Sequence, residues 1–302
     1  MKPSLAKIAP FVFVLLWSTG FIGSKYGVRN AEPFTFLALR LAIATVLMLG
    51  LATLVKRNQR LTGIQYLHAS VVGLLLHGTY LGGVYYALLL GMPVGTTAVI
   101  VGMQPLISAI VARYLFEEPG SLLQWVGLVL GFVGVVMVVG QKINTNVPMS
   151  SYLAAGIGLF GATAGTLYQK RFGNGIPLLG GTAVQYLATT LVLIPLALGF
   201  ETLKIVWSHE LIFALIWLVF VLSLGAVCLL LYLIARTGIA QVTSLFYLVP
   251  PLAALAAYIL FDETLSGLAV CGMAVVAIGV FLVIRPAPTP PAQIEALVRS
   301  SA

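Results

Sequence analysis

Apolar runs of about 20 residues recur along the whole chain, and short polar segments separate them. A helix of that length spans the hydrocarbon core of a bilayer, so each run predicts a membrane-spanning helix. The runs predict ten such spans, at residues 9–28, 33–54, 66–89, 95–115, 121–140, 150–170, 180–200, 211–234, 241–261 and 265–284. The first run follows two lysines as a signal peptide would, but it lacks a convincing cleavage site and has a counterpart in the second half. We therefore expect it to be retained.

The chain contains two copies of one unit. Shifted by 145 positions, Pro105–Val138 aligns with Pro250–Val283 without a gap, and 12 of 34 residues are identical. The matches fall on bend, loop and close-packing positions, namely Pro105/Pro250, Leu115–Glu118 on Leu260–Glu263, Ser121/Ser266, Gly127/Gly272 and Gly134/Gly279. We place the first repeat at residues 1–145, the second at 146–285 and a Pro-rich cytoplasmic tail at 286–302.

Each repeat holds five predicted spans, which is an odd number. The second copy must therefore enter the membrane from the opposite side, and the two repeats have inverted topology. Inverted repeats are typical of secondary transporters, which hold substrate near the middle of the membrane and expose it to each side in turn. The sequence thus predicts an all-α polytopic membrane protein with a transport function. A duplicated scaffold without a pathway is the alternative.

Charge indicates the orientation of the chain. Apolar residues make up 60% of the sequence and charged residues 8%, with a formal charge of +8. With the N-terminus inside, eleven Lys and Arg residues flank the predicted cytoplasmic ends and four flank the outer ends. This excess predicts that both termini are cytoplasmic. Because orientation explains the positive charge, we predict no nucleic-acid partner.

The sequence lacks the motifs for ATP hydrolysis, for metal binding and for membrane-embedded catalysis. It contains no P-loop motif, so we expect transport to use a gradient and not ATP hydrolysis by this chain. Cys228 and Cys271 are isolated and lack metal-ligand spacing. No cluster of His, Asp or Ser at a predicted interface suits a membrane-embedded enzyme. We predict no cofactor, no metal and no enzymatic activity.

Prolines occupy matching positions in the fourth and ninth spans. Pro105, and Pro250 followed by Pro251, each remove an amide donor and crowd the carbonyl four residues earlier. Broken backbone at membrane depth is tolerated where it is buried in protein or lines a cavity. We predict that these prolines kink gating helices; a purely structural kink is the alternative.

These features carry a family resemblance. The two five-helix halves, the segment Leu15–Thr19 in the first span, and the proline-containing spans that run into Leu-Phe-(Glu/Asp)-Glu resemble the EamA-type branch of the drug/metabolite transporter superfamily over residues 9–284. Within it, the chain is most similar to bacterial amino-acid and metabolite exporters of the inner membrane. The resemblance implies a ten-helix basket around a central cavity lined mainly by spans 1, 3, 4, 6, 8 and 9.

The positions of the charged side chains relative to the spans indicate which class of substrate is transported. All eight carboxylates fall in predicted loops, span ends or the tail. Proton-driven exporters of organic cations rely on a buried carboxylate, so the sequence favours neutral, zwitterionic or partly aromatic solutes. Arg40 lies within span 2 and aligns with Gln185 in span 7. Since the resemblance places both spans at the periphery, we interpret both residues as structural polar groups, with substrate contact the alternative for Arg40.

His77 and several deep aromatic residues form the predicted binding site. His77 shares a helical face with Tyr80 and could bind a substrate carboxylate or carry a proton, although a packing role is the alternative. Apolar walls with a few hydrogen-bonding tips are usual in small-molecule sites. The predicted substrate-binding residues are Trp17, His77, Tyr80, Gln104, Thr163, Phe246 and Tyr247. A hydroxyl bonded to its own helix is the alternative for Thr163.

The sequence as a whole predicts a bacterial inner-membrane transporter of small organic metabolites, with export of amino acids the leading hypothesis. Efflux of toxic drug-like compounds is the alternative within transport, and a membrane-embedded enzyme is the alternative from another class. We expect a monomer in the lipid bilayer that works by alternating access.

Overall fold

A computed structural model describes residues 3–54, 60–92, 94–117, 120–140, 147–252, 255, 258 and 266–284. Across these residues the regular structure is helical, and the one β contact is an isolated bridge between Ala31 and Ile205. In chain order the helices are α1 (Pro3–Ser18), α2 (Gly20–Asn30), α3 (Pro33–Leu54), α4 (Gly63–Leu89), α5 (Val94–Val101), α6 (Gln104–Leu115), α7 (Leu122–Val139), α8 (Met149–Phe172), α9 (Leu178–Phe200), α10 (His209–Arg236), α11 (Ile239–Leu252) and α12 (Gly267–Ile284). The Pro-rich tail and the segment Leu260–Glu263 lie outside the described residues.

Five helices, α3, α4, α9, α10 and α12, are long and apolar enough to cross a membrane. Each coincides with a predicted span. The α8 helix has 24 residues, while α7 and α11 are shorter apolar helices. The first predicted span is divided at Thr19 into α1 and α2, and the fourth is divided at Gly102 and Met103 into α5 and α6. The chain is therefore a multi-pass helical membrane protein, and the count of ten spans stays a prediction.

The fifth helix of each repeat begins at an equivalent serine cap. The Ser121 hydroxyl accepts a hydrogen bond from the Gln124 backbone amide at 3.2 Å, and the Gln124 side-chain oxygen accepts one from the Ser121 backbone amide at 3.0 Å. In the second copy, the Ser266 hydroxyl accepts from the Ala269 amide at 3.1 Å. A serine at this position satisfies an amide that has no partner within the helix. The duplicated sequence thus forms the same helix start twice.

The α7 and α12 helices form the most extensive helix pair and run antiparallel. A Cβ atom on Gly127 would lie 2.6 Å from the Gly279 carbonyl oxygen, and one on Gly279 would lie 2.7 Å from the Gly127 carbonyl oxygen. Gly134 and Gly272 approach each other equally closely. Small residues let helix backbones meet in this way where lipid supplies no apolar driving force. Since α7 and α12 are equivalent in the two repeats, their antiparallel packing is what inverted repeats require.

Two further helix pairs show the same relationship. Gly158 of α8 packs on the Tyr80 carbonyl of α4, and Gly20 of α2 packs on Leu222 of α10. The repeat offset relates α4 to α10 and α8 to the α1–α2 segment. Each pair therefore joins a helix of the first repeat to a helix of the second, and the repeat offset relates one pair to the other.

Wide helical turns occur at the centre of both α4 and α10. The backbone follows π-helical turns over Leu74–Thr79 and again over Leu218–Ala226. Adding the offset of 145 to the first segment gives 219–224, which lies within the second. Such turns are uncommon and concentrate at functional sites. The π-helical turns change the direction in which side chains point at the centre of α4 and of α10.

The predicted kinks at the prolines take the form of helix interruptions. Pro105 lies in the first turn of α6, directly after the break at Gly102 and Met103. A proline there costs no intrahelical hydrogen bond. In α11 a 3-10 turn over Leu245–Leu248 precedes Pro250 and Pro251. Both interruptions lie on the N-terminal side of the matching prolines.

Candidate functional site

A small cavity of about 80 Å³ lies among α1, α2, α3, α4, α9 and α10. We call it the central cavity. Its walls are mainly apolar, and its lining residues are Trp17, Gly20, Ser24, Arg40, Leu41, Leu76, His77, Tyr80, Leu81, Val84, Tyr85, Leu88, Tyr186, Leu218, Leu222, Ser223 and Val227. Three of the predicted substrate-binding residues, Trp17, His77 and Tyr80, are among them. The two segments with π-helical turns face each other across this space.

Aromatic rings close one end of the central cavity. Trp17 packs against Phe13 and Phe246, with ring centroids 5.2 and 5.3 Å away. The Phe13 and Phe246 rings also meet edge-on at 5.4 Å. Phe246 does not itself line the cavity, but it fixes the Trp17 ring that does. The first span and the ninth span are therefore joined next to the cavity, and the predicted contact of Phe246 with substrate stays a prediction.

His77 is held on the opposite wall by residues of α9. Its Nε2 atom lies 3.3 Å from the Gln185 Oε1 atom, and its ring meets the Tyr186 ring edge-on at 4.9 Å. The side chain is 4% exposed. A hydrogen bond from the imidazole to the Gln185 oxygen requires a proton on Nε2 and leaves Nδ1 to accept or donate. His77 is thus oriented by one neutral partner.

Arg40 reaches the same cavity from α3. Its Nε atom donates to the Ser223 hydroxyl at 3.1 Å, and the side chain is 5% exposed. The Tyr186 hydroxyl donates to the Ser223 carbonyl at 2.5 Å. Ser223 is therefore fixed through its main chain and in turn orients Arg40. This arrangement joins α3 to α10 and also places a permanent positive charge in the cavity wall.

The remaining predicted site residues lie away from the central cavity. Gln104 donates to Thr166 Oγ1 at 3.2 Å and to the Ala162 carbonyl at 3.4 Å, so it joins α6 to α8. Thr163 is buried, and its hydroxyl has no hydrogen-bond partner among the described residues. Tyr247 is buried against Gly131 of α7. Their roles in binding stay predictions.

Several cavity residues were not predicted from the sequence. Ser24 and Tyr85 form a hydrogen bond of 2.6 Å at the cavity wall, and Tyr186 and Ser223 also line the cavity. Tyr85 falls near the end of the predicted third span, residues 66–89, where a tyrosine is typical of the membrane interface. Tyr186 could have been noticed because it follows Gln185, the repeat equivalent of Arg40.

A second cavity of about 440 Å³ lies where α6, α7, α8, α10 and α11 converge. Its lining residues are Ala109, Ala112, Arg113, Gly120, Gln124, Trp125, Leu128, Lys170, Arg236, Thr237, Gly238, Ala240 and Gln241. The Lys170 ammonium donates to the Thr237 carbonyl at 2.7 Å, and the Arg236 guanidinium lies 5.5 Å from the Tyr232 ring centroid. The predicted orientation places this basic cavity at the cytoplasmic face.

Comparisons with known proteins agree with this architecture. The sequence profile of the EamA-like transporter family matches residues 5–140 and again 149–285. The "Uncharacterized inner membrane transporter YedA" of Escherichia coli (strain K12) is 28% identical over 277 residues, which cover 91% of this chain and 89% of that protein. The "Probable amino-acid metabolite efflux pump" of Salmonella typhimurium (strain LT2) is 20% identical over 279 residues, which cover 89% of this chain and 91% of that protein.

A solved crystal structure shows the same fold. It is 20% identical to this chain and superposes with a TM-score of 0.77, over 93% of this chain and 97% of the other. The two repeats, the antiparallel helix pairs and the sequence matches therefore lead to one family.

Proposed function

The chain belongs to the EamA-like transporter family, and from this premise we propose that it exports small organic metabolites, amino acids first among them, across a bacterial inner membrane. The relative from Salmonella typhimurium that is named as a probable amino-acid metabolite efflux pump supports this substrate class. Relatives named as inner membrane transporters support the location. We place both termini in the cytoplasm and expect the monomer to be the functional unit.

The observation that carries the proposal is the composition of the central cavity. Apolar side chains form most of its surface, and Trp17, Tyr80, His77 and Arg40 supply a few polar groups. Small-molecule sites have this composition because apolar contact supplies affinity and a few polar groups fix the orientation of the ligand. Its position between matching helix pairs is the place where inverted-repeat transporters hold substrate.

The antiparallel helix pairs support alternating access as the mechanism. The α4–α8 pair and the α2–α10 pair are related by the repeat offset, and α2, α4 and α10 line the central cavity. Rocking of one repeat against the other would open the cavity to one side while closing it to the other. In the direction of export, the basic cavity beneath α6 and α11 would be the cytoplasmic entrance. Ten spans arranged as a basket complete this proposal.

Counterflow in proteoliposomes tests the function. The purified full-length protein is reconstituted, loaded with unlabelled amino acid and supplied with the same radiolabelled amino acid outside, over a panel of the common amino acids. We expect transient accumulation for at least one of them. We expect Trp17→Ala to reduce that uptake roughly fivefold, because an aromatic contact at the site contributes on the order of 1 kcal/mol.

Trp207→Ala is the matched control, since Trp207 is 63% exposed and lies outside both cavities. Its uptake should equal that of the wild type. Counterflow of drug-like compounds with no counterflow of any amino acid would overturn the proposal in favour of drug efflux.

A further inference from the structure

We propose that Arg40 binds the carboxylate of the transported solute, and that the transported solutes are small organic carboxylates, amino acids among them. This inference rests on the proposed function and names its substrate class. It concerns a residue for which the sequence favoured a structural role and left substrate contact as the alternative.

The charge of Arg40 is buried and has a neutral partner. A guanidinium stays protonated in proteins, so burial cannot be relieved by loss of the proton. The described structure gives it one hydrogen bond, from Nε to the Ser223 hydroxyl, and no carboxylate contacts it among the described residues. Charges at membrane depth are costly and usually mark a pathway or a binding site. Among the described residues, Arg40 therefore lacks the anionic partner that a buried charge normally has.

The carboxylates near α3 are committed elsewhere. Glu201 accepts hydrogen bonds from the amides of Phe34 and Thr35 at 2.7 Å, which caps the start of α3. Glu32 accepts from the amide of Thr202 at 2.8 Å. These contacts hold the ends of α3 and α9 together and leave the charge of Arg40 unbalanced by them.

The geometry of Arg40 suits an incoming carboxylate. Ser223 occupies the Nε atom and Arg40 lines the central cavity, so we assign solute binding to the two terminal nitrogens of its guanidinium. Arginine is suited to carboxylates because its planar N–H groups can donate two parallel hydrogen bonds. The hydrogen bond from the Tyr186 hydroxyl to the Ser223 carbonyl fixes Ser223, which in turn orients Arg40. The anion site is thus oriented before the solute arrives.

The rest of the cavity determines which carboxylates fit. None of its described lining residues is acidic, so a solute ammonium group would find aromatic faces at Trp17 and Tyr80 and no salt bridge. Recognition would therefore depend on the carboxylate and tolerate the presence or absence of the amino group. Organic cations without a carboxylate would meet the uncompensated charge of Arg40 and be excluded.

Thermal unfolding of the purified full-length protein with matched ligands tests the proposal. Each set comprises an amino acid, its amide, and the acid without the amino group, based on alanine, leucine and phenylalanine. Ligands that bind the folded state raise the unfolding temperature. We expect both acids of at least one set to stabilise the wild type and the amide to have no effect.

Arg40→Gln distinguishes binding from structural support. We expect the ligand-free variant to be as stable as the wild type or more stable, since an unbalanced buried charge has been removed. We expect its affinity for the carboxylates to fall about 30-fold or more, as for truncation of a buried charge pair. Arg40→Lys should retain part of the binding, because it keeps the charge and loses the paired donors.

Ser223→Ala serves as the matched control, since it keeps the charge and removes only its orienting contact. We expect a smaller loss of carboxylate affinity than in Arg40→Gln. Full carboxylate binding by Arg40→Gln, or stabilisation of the wild type by amides as well as acids, would overturn the role of Arg40 while leaving amino-acid transport standing. If no ligand of any set is bound or transported by the wild type, the proposed function fails together with this inference.

Discussion

Gln185 and His77 are joined at 3.3 Å, and this contact is the counterpart of the one that joins Arg40 to Ser223 at 3.1 Å. The repeat offset of 145 carries Arg40 onto Gln185, and it carries residue 78, next to His77, onto Ser223. The second helix of each repeat therefore holds the third helix of the other repeat through one polar contact. The contact between Arg40 and Ser223 is charged, and the contact between Gln185 and His77 is neutral. The two repeats therefore place a polar contact at equivalent positions but build it from different residue types.

The close packing of α7 on α12 depends on glycine. A Cβ atom on Gly279 would lie 2.5 Å from the Gly131 nitrogen, which is backbone and cannot turn aside. We predict that Gly279→Ala lowers the stability of the protein by about 1–3 kcal/mol, the usual cost of overpacking. Thermal unfolding in detergent measures the effect.

Gly50→Ala is the control, since a Cβ atom there would meet nothing within 4 Å. It should unfold at the wild-type temperature or slightly above it, because alanine favours a helix more than glycine does. Equal destabilisation by both substitutions would show that the glycine contact between α7 and α12 is not what matters.

The positions of the long apolar helices were predictable from the sequence, because a membrane-spanning helix requires an apolar run of about 20 residues. The glycines and prolines at offset 145 also indicated which helices correspond. The face that Arg40 presents was not predictable, because α3 is apolar on all sides and gives no periodic signal for rotation. The π-helical turn around His77 escaped prediction as well, since an ideal helical spacing was assumed for His77 and Tyr80.

Orientation is testable by fusion. We predict that alkaline phosphatase fused to the C-terminus stays inactive, because eleven of the fifteen Lys and Arg residues near the span ends lie at the predicted cytoplasmic ends. Fusion after Lys204, in a predicted outer loop, should give an active enzyme and serves as the control. Activity of the C-terminal fusion together with inactivity of the loop fusion would reverse the proposed orientation.

His77 is the side chain in the central cavity suited to carry a proton, since the described lining holds no carboxylate. We predict that any concentrative uptake driven by an imposed pH gradient disappears in His77→Ala, while counterflow exchange persists. His68→Ala is the control, because His68 lies on the same helix but bonds the Tyr168 hydroxyl at 2.9 Å, outside the cavity. Gradient-driven accumulation that survives in His77→Ala would assign the proton to another group.

The matching prolines lead to a prediction about conformational balance. Pro105 follows the break between α5 and α6, and Pro250 follows the 3-10 turn within α11. Both interruptions give the fourth helix of a repeat a point at which its two halves can move separately. Because the repeats are inverted, we expect these points to serve gates on opposite sides of the membrane.

Replacing either proline by alanine restores an amide donor and favours a continuous helix. A shift between two conformations changes turnover even when the binding site is intact, so Pro105→Ala and Pro250→Ala should each slow transport more than they weaken binding.

The two variants should also favour opposite-facing states. Cysteine accessibility from each side, in a background with Cys228 and Cys271 replaced, measures that bias. Pro195→Ala is the control, since Pro195 lies inside α9, away from both helix interruptions. Accessibility shifts of the same sign in Pro105→Ala and Pro250→Ala, or unchanged accessibility with normal turnover, would reduce the prolines to packing residues.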